Sequence, residues 1–177
     1  MKTRLPVCLA LCLCVQLSQA DDAPSIHLRA VRARTSHARS TSWRTSYGSY
    51  HKSSNRSLAV SIDVRNIGGE QADIIVQTFF LAKGKGRDSG VFVFDRQLAE
   101  LSLDPRGMTN LVHSSRELTE ETQHYEALRR HYNQGAEMDG YIVRVLADGI
   151  VLKAEASSVR YRKLAEIIEL DQALAEL

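Results

Sequence analysis

Leu58-Ala59-Val60-Ser61-Ile62-Asp63-Val64-Arg65 runs directly into Asn66-Ile67-Gly68-Gly69. Leu58, Val60, Ile62 and Val64 fall on one side of an extended chain, and Ala59, Ser61, Asp63 and Arg65 on the other. A period of two is the mark of a strand with one dry and one wet face, the habit of antiparallel sheets. Asn and Gly tolerate positive φ and end it.

The same grammar extends in both directions. Upstream, Ile26, Leu28 and Ala30 alternate with His27, Arg29 and Val31, which predicts a strand over 25–34. Downstream, Asp73 to Lys83 is more continuously apolar and suits a central strand. A glycine-rich turn, Gly84 to Gly90, leads to Val91-Phe92-Val93-Phe94. Leu98, Leu101 and Leu103 carry the apolar pattern to Asp104-Pro105-Arg106-Gly107, a β-turn signal, and Met108 to Ser115 forms the next strand. Asp148-Gly149 between Tyr141–Leu146 and Val151–Ser158 is the clearest hairpin signal in the chain. About seven strands with regular turn signals predict an all-β, immunoglobulin-like antiparallel β-sandwich. No repeated parallel strand–helix–strand unit is visible, which argues against Rossmann and TIM-barrel architectures.

Three segments depart from this pattern. Thr119 to Gln134 predicts an inserted helix: Thr119 can cap it, Glu120 and Glu121 suit its first turn, and Arg129, Arg130 and His131 its end. Residues 161–177 predict a C-terminal amphipathic helix, with Ile167, Leu170, Leu174 and Leu177 forming a narrow seam. That seam can dock on the sandwich or pair with another subunit as a homo-oligomer. Thr35 to Ser57 holds eight Ser, three Thr and four basic residues with Trp43, Tyr47 and Tyr50, and reads as a long loop or a strand extension with a loose tip.

Residues 1–20 read as a signal peptide. Lys2 and Arg4 precede an apolar run from Leu5 to about Leu17, and Ser18-Gln19-Ala20 places small residues before Asp21. The expectation is an exported chain located in the periplasm, on the outer-membrane surface or outside the cell. Cys8, Cys12 and Cys14 would leave with the leader, so the mature chain would have no disulfide, thiol nucleophile or cysteine-based metal site. Its 21 basic and 21 acidic residues would then cancel, and no transmembrane segment follows. The charge is unevenly spread. Residues 25–57 hold seven basic side chains and no acid, whereas from Leu58 onward 14 basic residues face 19 acidic ones. Such asymmetry can steer an acidic partner to one end, or serve the domain's own electrostatics.

Motifs for chemistry are lacking. Tyr47-Gly48-Ser49-Tyr50 has neither the glycine pattern nor the strand-to-helix setting of a hydrolase elbow. Gly84-Lys85-Gly86 lacks the rest of a phosphate loop. Asp148-Gly149 lacks the other acidic positions of a calcium loop. On a helix, His124 and His131 would stand ~10 Å apart, too far to share a metal. Asp63, Asp73, Asp95 and Asp139 are the carboxylates that could pair in space for glycoside hydrolysis. The expectation is accordingly no enzyme activity, no catalytic residues, no cofactor and no metal.

Recognition is the better-supported chemistry. Arg39, Trp43, Arg44, Tyr47 and Tyr50 combine rigid rings, guanidinium groups and hydroxyl-rich neighbours, the composition of adaptable recognition loops. The expected partner is an envelope protein or a surface glycan. Nucleic acid is not expected for a neutral, exported chain. Asn55-Arg56-Ser57 is a glycosylation sequon, meaningful only in a eukaryotic source.

Leu58 to Ser158 resembles bacterial exported immunoglobulin-like sandwiches, in particular the cell-adhesion-related domain found in bacteria and its FxLYD-type relatives. The residues that carry this are Val60 to Gly68, Leu103 to Gly107, and Tyr141 to Val145 with Asp148 to Leu152. The chain is also similar to small verrucomicrobial immunoglobulin-like proteins associated with type IV pilus-like systems. The resemblance implies a sandwich without catalytic residues that binds or assembles in the envelope, in association with a pilus or secretion system. A carbohydrate-binding or adhesion role is the alternative, and a hydrolase the third.

Overall fold

A computed structural model of the chain describes residues 24–44, 49–85, 90–125, 130–165 and 167. The elements are β1 (Ile26–Arg44), β2 (Ser49–Asn66), β3 (Ala72–Gly84), β4 (Val91–Leu103), β5 (Met108–Ser114), β6 (Leu118–Tyr125), β7 (Arg130–Ala147), β8 (Ile150–Ala156) and α1 (Val159–Leu164). Every strand pairing among them is antiparallel. The all-β sandwich read from the sequence is the fold, with eight strands among the described residues.

The alternation at Leu58–Val64 builds one layer. β2 pairs β1 along its whole length, from Ile26 opposite Asn66 to Arg44 opposite Ser49. Its other edge is shared: Ala59–Arg65 pairs β5, and Tyr50–Arg56 pairs β6. The second layer is β4-β3-β7-β8, with β3 central as its continuous apolar run requires. β7 belongs to both layers. Arg130–Gly135 pairs β6, and Ala136–Leu146 pairs β3. The change of layer falls at Gly135, whose φ is +91°; a Cβ there would meet the Thr119 carbonyl oxygen at 2.7 Å. Only glycine meets both conditions.

Leu28, Leu58, Val60, Ile62 and Val64 of the first layer pack against Ile74, Val76, Phe80, Val143 and Val145 of the second. Full burial of each large apolar side chain stabilises by ~1.5–3 kcal/mol. A smaller cluster on the outer side of the second layer (Phe79, Leu81, Val91, Ile142) is roofed by Tyr161 and Ala165 at α1. The predicted Asp-Gly hairpin forms as expected, with Asp148 at φ 51° and Gly149 at φ 78°.

Two helix expectations need correction. The described parts of the segment Thr119–Gln134, 119–125 and 130–134, are strand and not helix: they belong to β6 and the start of β7, registered from Glu120 opposite Gly135 to Tyr125 opposite Arg130. The cap and dipole signals are worth ~0.3–1 kcal/mol each at an exposed site. Pairing with β2 instead satisfies a whole ladder of backbone groups, and the segment had no broad apolar stripe with which a helix could dock. A short helix is present near the C-terminus as expected, but it starts earlier than 161. Ser158 caps α1 through Tyr161 N–H at 3.4 Å, the helix ends at Leu164, and Ile167 lies beyond it, 41% exposed. Leu170, Leu174 and Leu177 lie outside the described residues, as do residues 1–20. Among the described residues, no helix is long and apolar enough to cross a membrane.

Candidate functional site: a polar four-stranded arm

Of the two readings of Thr35–Ser57, the strand extension is the one formed. β1 and β2 continue past Ala30 and Leu58, joined by β6 and the first part of β7, as a four-stranded arm. From Arg34 to Arg44 it is ~35 Å long at ~3.3 Å per residue.

Register arranges the arm in rows across the strands. His37 lies opposite Arg56, and Arg56 opposite Leu118. The next row on that face is Arg39, Ser54, Glu120 and Gly135, followed by Thr41, Lys52, Thr122 and Asn133. Trp43, Tyr50, His124 and His131 make the outermost of these rows. Because the period is two, these β2 positions share the face on which Leu58, Val60 and Ile62 enter the core. Along one face, therefore, oil gives way to charge and then to ring-bearing positions.

Glu120 is the hub of the charged part. Its Oε1 accepts from Lys85 Nζ at 2.6 Å, and its Oε2 lies 3.7 Å from Arg56 Nη2. Lys85 also reaches Glu137 Oε2 at 3.2 Å, tying the arm to the end of the second layer. Burial works to raise the Glu120 pKa, but the Lys85 hydrogen bond and the charges of Lys85, Arg56 and Lys52 outweigh it and hold the pKa below the usual carboxylate value. The Glu120 hydrogen bond raises the Lys85 pKa against the opposing effect of burial, and Glu137 adds to the rise. Beside this hub is a cavity of about 40 Å³ lined by Arg39, Lys52, Ser54, Arg56, Glu120 and Thr122. Ser54 Oγ, Arg56 Nε and Glu120 Oε2 are buried without a hydrogen-bond partner. Room for one water and three polar atoms to hold it coincide there.

The rest of the arm is stitched by polar pairs. Asn55 Nδ2 donates to Glu117 Oε2 at 3.2 Å, Thr119 Oγ1 donates to Asn55 Oδ1 at 3.1 Å, and His51 Nε2 lies 3.4 Å from Glu121 Oε2. Leu118 packs on the main core at the arm's base.

The candidates Arg39, Trp43, Arg44 and Tyr50 all lie on the arm's strands, with Arg39 exposed and its Nε donating to His37 Nε2. Loss of water around the ring, then the guanidinium groups of Arg39 and Arg56, lower the His37 pKa. Tyr47 lies outside the described residues. His124 and His131 need a second correction: they are directly opposed across β6 and β7. Opposed residues in such a pair have Cα atoms ~4.5–5.5 Å apart, so the helical spacing that separated them does not apply. Glu120, Lys85 and the two histidines were missed from sequence. The usable signal was the charge match of Lys52 and Arg56 with Glu120 and Glu121 on strands that turn out to be neighbours.

The four aspartates raised for hydrolysis are engaged separately. Asp63 accepts from Asn110 Nδ2 at 2.5 Å, Asp73 from Ser102 Oγ at 2.6 Å, Asp95 from the Arg116 N–H at 2.8 Å, and Asp139 from the Tyr161 hydroxyl. Asp73 also borders two hollows at the opposite end of the sandwich, of about 560 and 510 Å³, which share Asp148 and contain Glu100 and Glu70 respectively. Among the described residues, no cluster of His, Cys, Asp and Glu is placed to hold a metal.

No family model and no curated protein matches the chain. Solved structures similar to it include a putative β-galactosidase from Bacteroides fragilis, 9% identical with a TM-score of 0.37, over 68% of this chain and 15% of that one. A β-glucosidase from Kluyveromyces marxianus is 14% identical with a TM-score of 0.33, over 75% of this chain and 14% of the other. The chain thus spans a small part of either enzyme. A protein of Akkermansia muciniphila is 8% identical with a TM-score of 0.25, over 77% of this chain and 73% of that one.

Proposed function

We propose that the chain is a non-enzymatic, exported binding or assembly module of a Gram-negative envelope, associated with a pilus or secretion system, and that the arm is its recognition element. The observation that carries this reading is the row Trp43, Tyr50, His124 and His131, placed by register at the outer part of an arm whose sequence is mostly polar and charged. A sheet extended this far without an apolar face of its own adds little hydrophobic stabilisation, so its use lies in what it presents. Rings offer a large contact area at small entropic cost, and arginines beside them supply charge-assisted hydrogen bonds.

The test is capture from an envelope extract by the purified protein and by its Trp43→Ala/Tyr50→Ala variant. Retention of a defined partner by the first and at least ~10-fold weaker retention by the second is the expected result. Equal retention removes the ring row from the account. The same rings and arginines favour a second reading, a carbohydrate-binding or adhesion protein, because ring faces also stack on sugars. Binding to a glycan array, lost in the same variant, would select it.

A further inference from the structure

Among the described residues β1 ends the hydrogen-bonded path of strands, so one of its edges pairs with no other strand. Near the core that edge is occupied: the Tyr141 hydroxyl donates to the Ala30 carbonyl at 3.3 Å. From Val31 to Ser42 every residue is exposed, and among the described residues no strand pairs with the outer side of this length. It amounts to ~40 Å of backbone N–H and C=O groups open to another strand. The other edges are not equivalent. That of β4 is engaged by the end of β5 and the residues after it, through Gln97 to the Ser114 carbonyl and Arg116 to Asp95 and the Phe94 carbonyl. β8 is only seven residues long.

The open edge is strongly basic. Arg32, Arg34 and Arg39 have no carboxylate partner among the described residues. The arm's acids are engaged elsewhere, Glu120 by Lys85 and Arg56, Glu121 by His51, and Glu117 by Asn55. The register shift at Ala33 puts Arg32 opposite Val60 and Arg34 opposite Ala59, so guanidinium groups stand on both faces of the edge. Two such edges repel, which disfavours pairing between copies of this chain. An incoming strand carrying carboxylates meets the reverse situation.

We propose that the edge Val31–Ser42 accepts one further strand, an extended acidic peptide segment of the binding partner. The proposal rests on the reading of the arm as a recognition element and names the chemistry it recognises. Main-chain hydrogen bonds along β1 supply affinity, and the arginines select the sequence.

The probe is a labelled peptide of alternating Thr and Glu, long enough to span Val31–Ser42, with an alternating Thr and Lys peptide as control. Added to the purified full chain, the acidic peptide should slow hydrogen exchange at alternate β1 amides between Val31 and Ser42. Its affinity, read by fluorescence anisotropy, should fall at least ~10-fold in the Arg34→Glu/Arg39→Glu variant and fall steeply with salt. Unchanged β1 exchange, protection confined to the arm's face or to the acidic end of the sandwich, or equal binding of the lysine peptide would each overturn it. The two readings separate cleanly. Envelope capture without β1 protection leaves the module and removes the edge; β1 protection without envelope capture does the opposite.

Discussion

At the scale of single residues, two buried polar groups govern how the sandwich responds to its surroundings. His113 on β5 shares a 2.8 Å hydrogen bond with Thr78 Oγ1 on β3, joining the layers, and burial lowers its pKa. The unfolded chain therefore takes up a proton that the folded chain refuses. Stability is complete above the ordinary histidine value of ~6.5 and is lost as pH falls from there through the depressed folded value. Chemical denaturation across that range should show this slope in the native protein and a flatter one in His113→Gln. Asn66 is the second group. Its Oδ1 accepts from Gly68 N at 2.9 Å, and its Nδ2 reaches the carbonyls of Glu70 at 2.6 Å and Asp104 at 3.2 Å. Asn66→Ala leaves these groups unmatched and should cost ~2–3 kcal/mol in urea unfolding. Asn66→Asp should cost more, since it turns a carboxylate toward two carbonyl oxygens. Asn66 was read from sequence only as a strand stop; its burial and its bond to Asp104 in the turn between β4 and β5 are tertiary facts.

Among the elements, the joint between arm and sandwich is the sensitive place. Gly135→Ala meets the Thr119 carbonyl and requires a positive φ of an L-residue, so it should loosen β6 from β7 while sparing β2–β5 pairing. Faster exchange of β6 amides with unchanged β5 amides is the expected pattern. Glu120→Gln should have a related effect, about 1–3 kcal/mol in local opening of the arm, because it leaves Lys85 with one carboxylate partner. The native ion cluster has a defined window. Glu120, with its pKa lowered, contributes above the ordinary carboxylate value and fails as pH falls through the folded one; Lys85, with its pKa raised, contributes below ~10.5 and fails as pH rises through its own folded value. The stretches with an apolar face, the starts of β1 and β3, β2 from Leu58, β4, β5, β7 from Tyr141 and β8, were legible because alternation records which side is buried. β6 was not, because Leu118-Thr119-Glu120-Glu121 carries no alternation and its extended form comes from the ladder that β2 offers. Helix capping residues there outweighed a partner that no local window contains. The arm's residues were legible as recognition chemistry, whereas their ordering into rows depended on a register set by distant strands.

Considered as a whole, the molecule divides into a core that folds and an arm that presents. The main cluster draws on β1 to β5, β7 and β8, and among the described residues the arm adds only Leu118 at its base. Shortening both arm hairpins to tight turns should therefore preserve one cooperative thermal transition while abolishing envelope capture; loss of the transition would show that the arm is part of the folding unit. Three of the arm's strands, β1, β2 and β7, enter the sandwich without a break, while β6 is tethered through 115–117. A load applied at the tip therefore passes along unbroken main chain into both layers. It meets the ladder bonds lengthwise, so that many must yield together instead of parting one by one. The projection is in that sense a lever rooted in its own foundation, and whatever it grips would be held at a fixed distance and angle from the body.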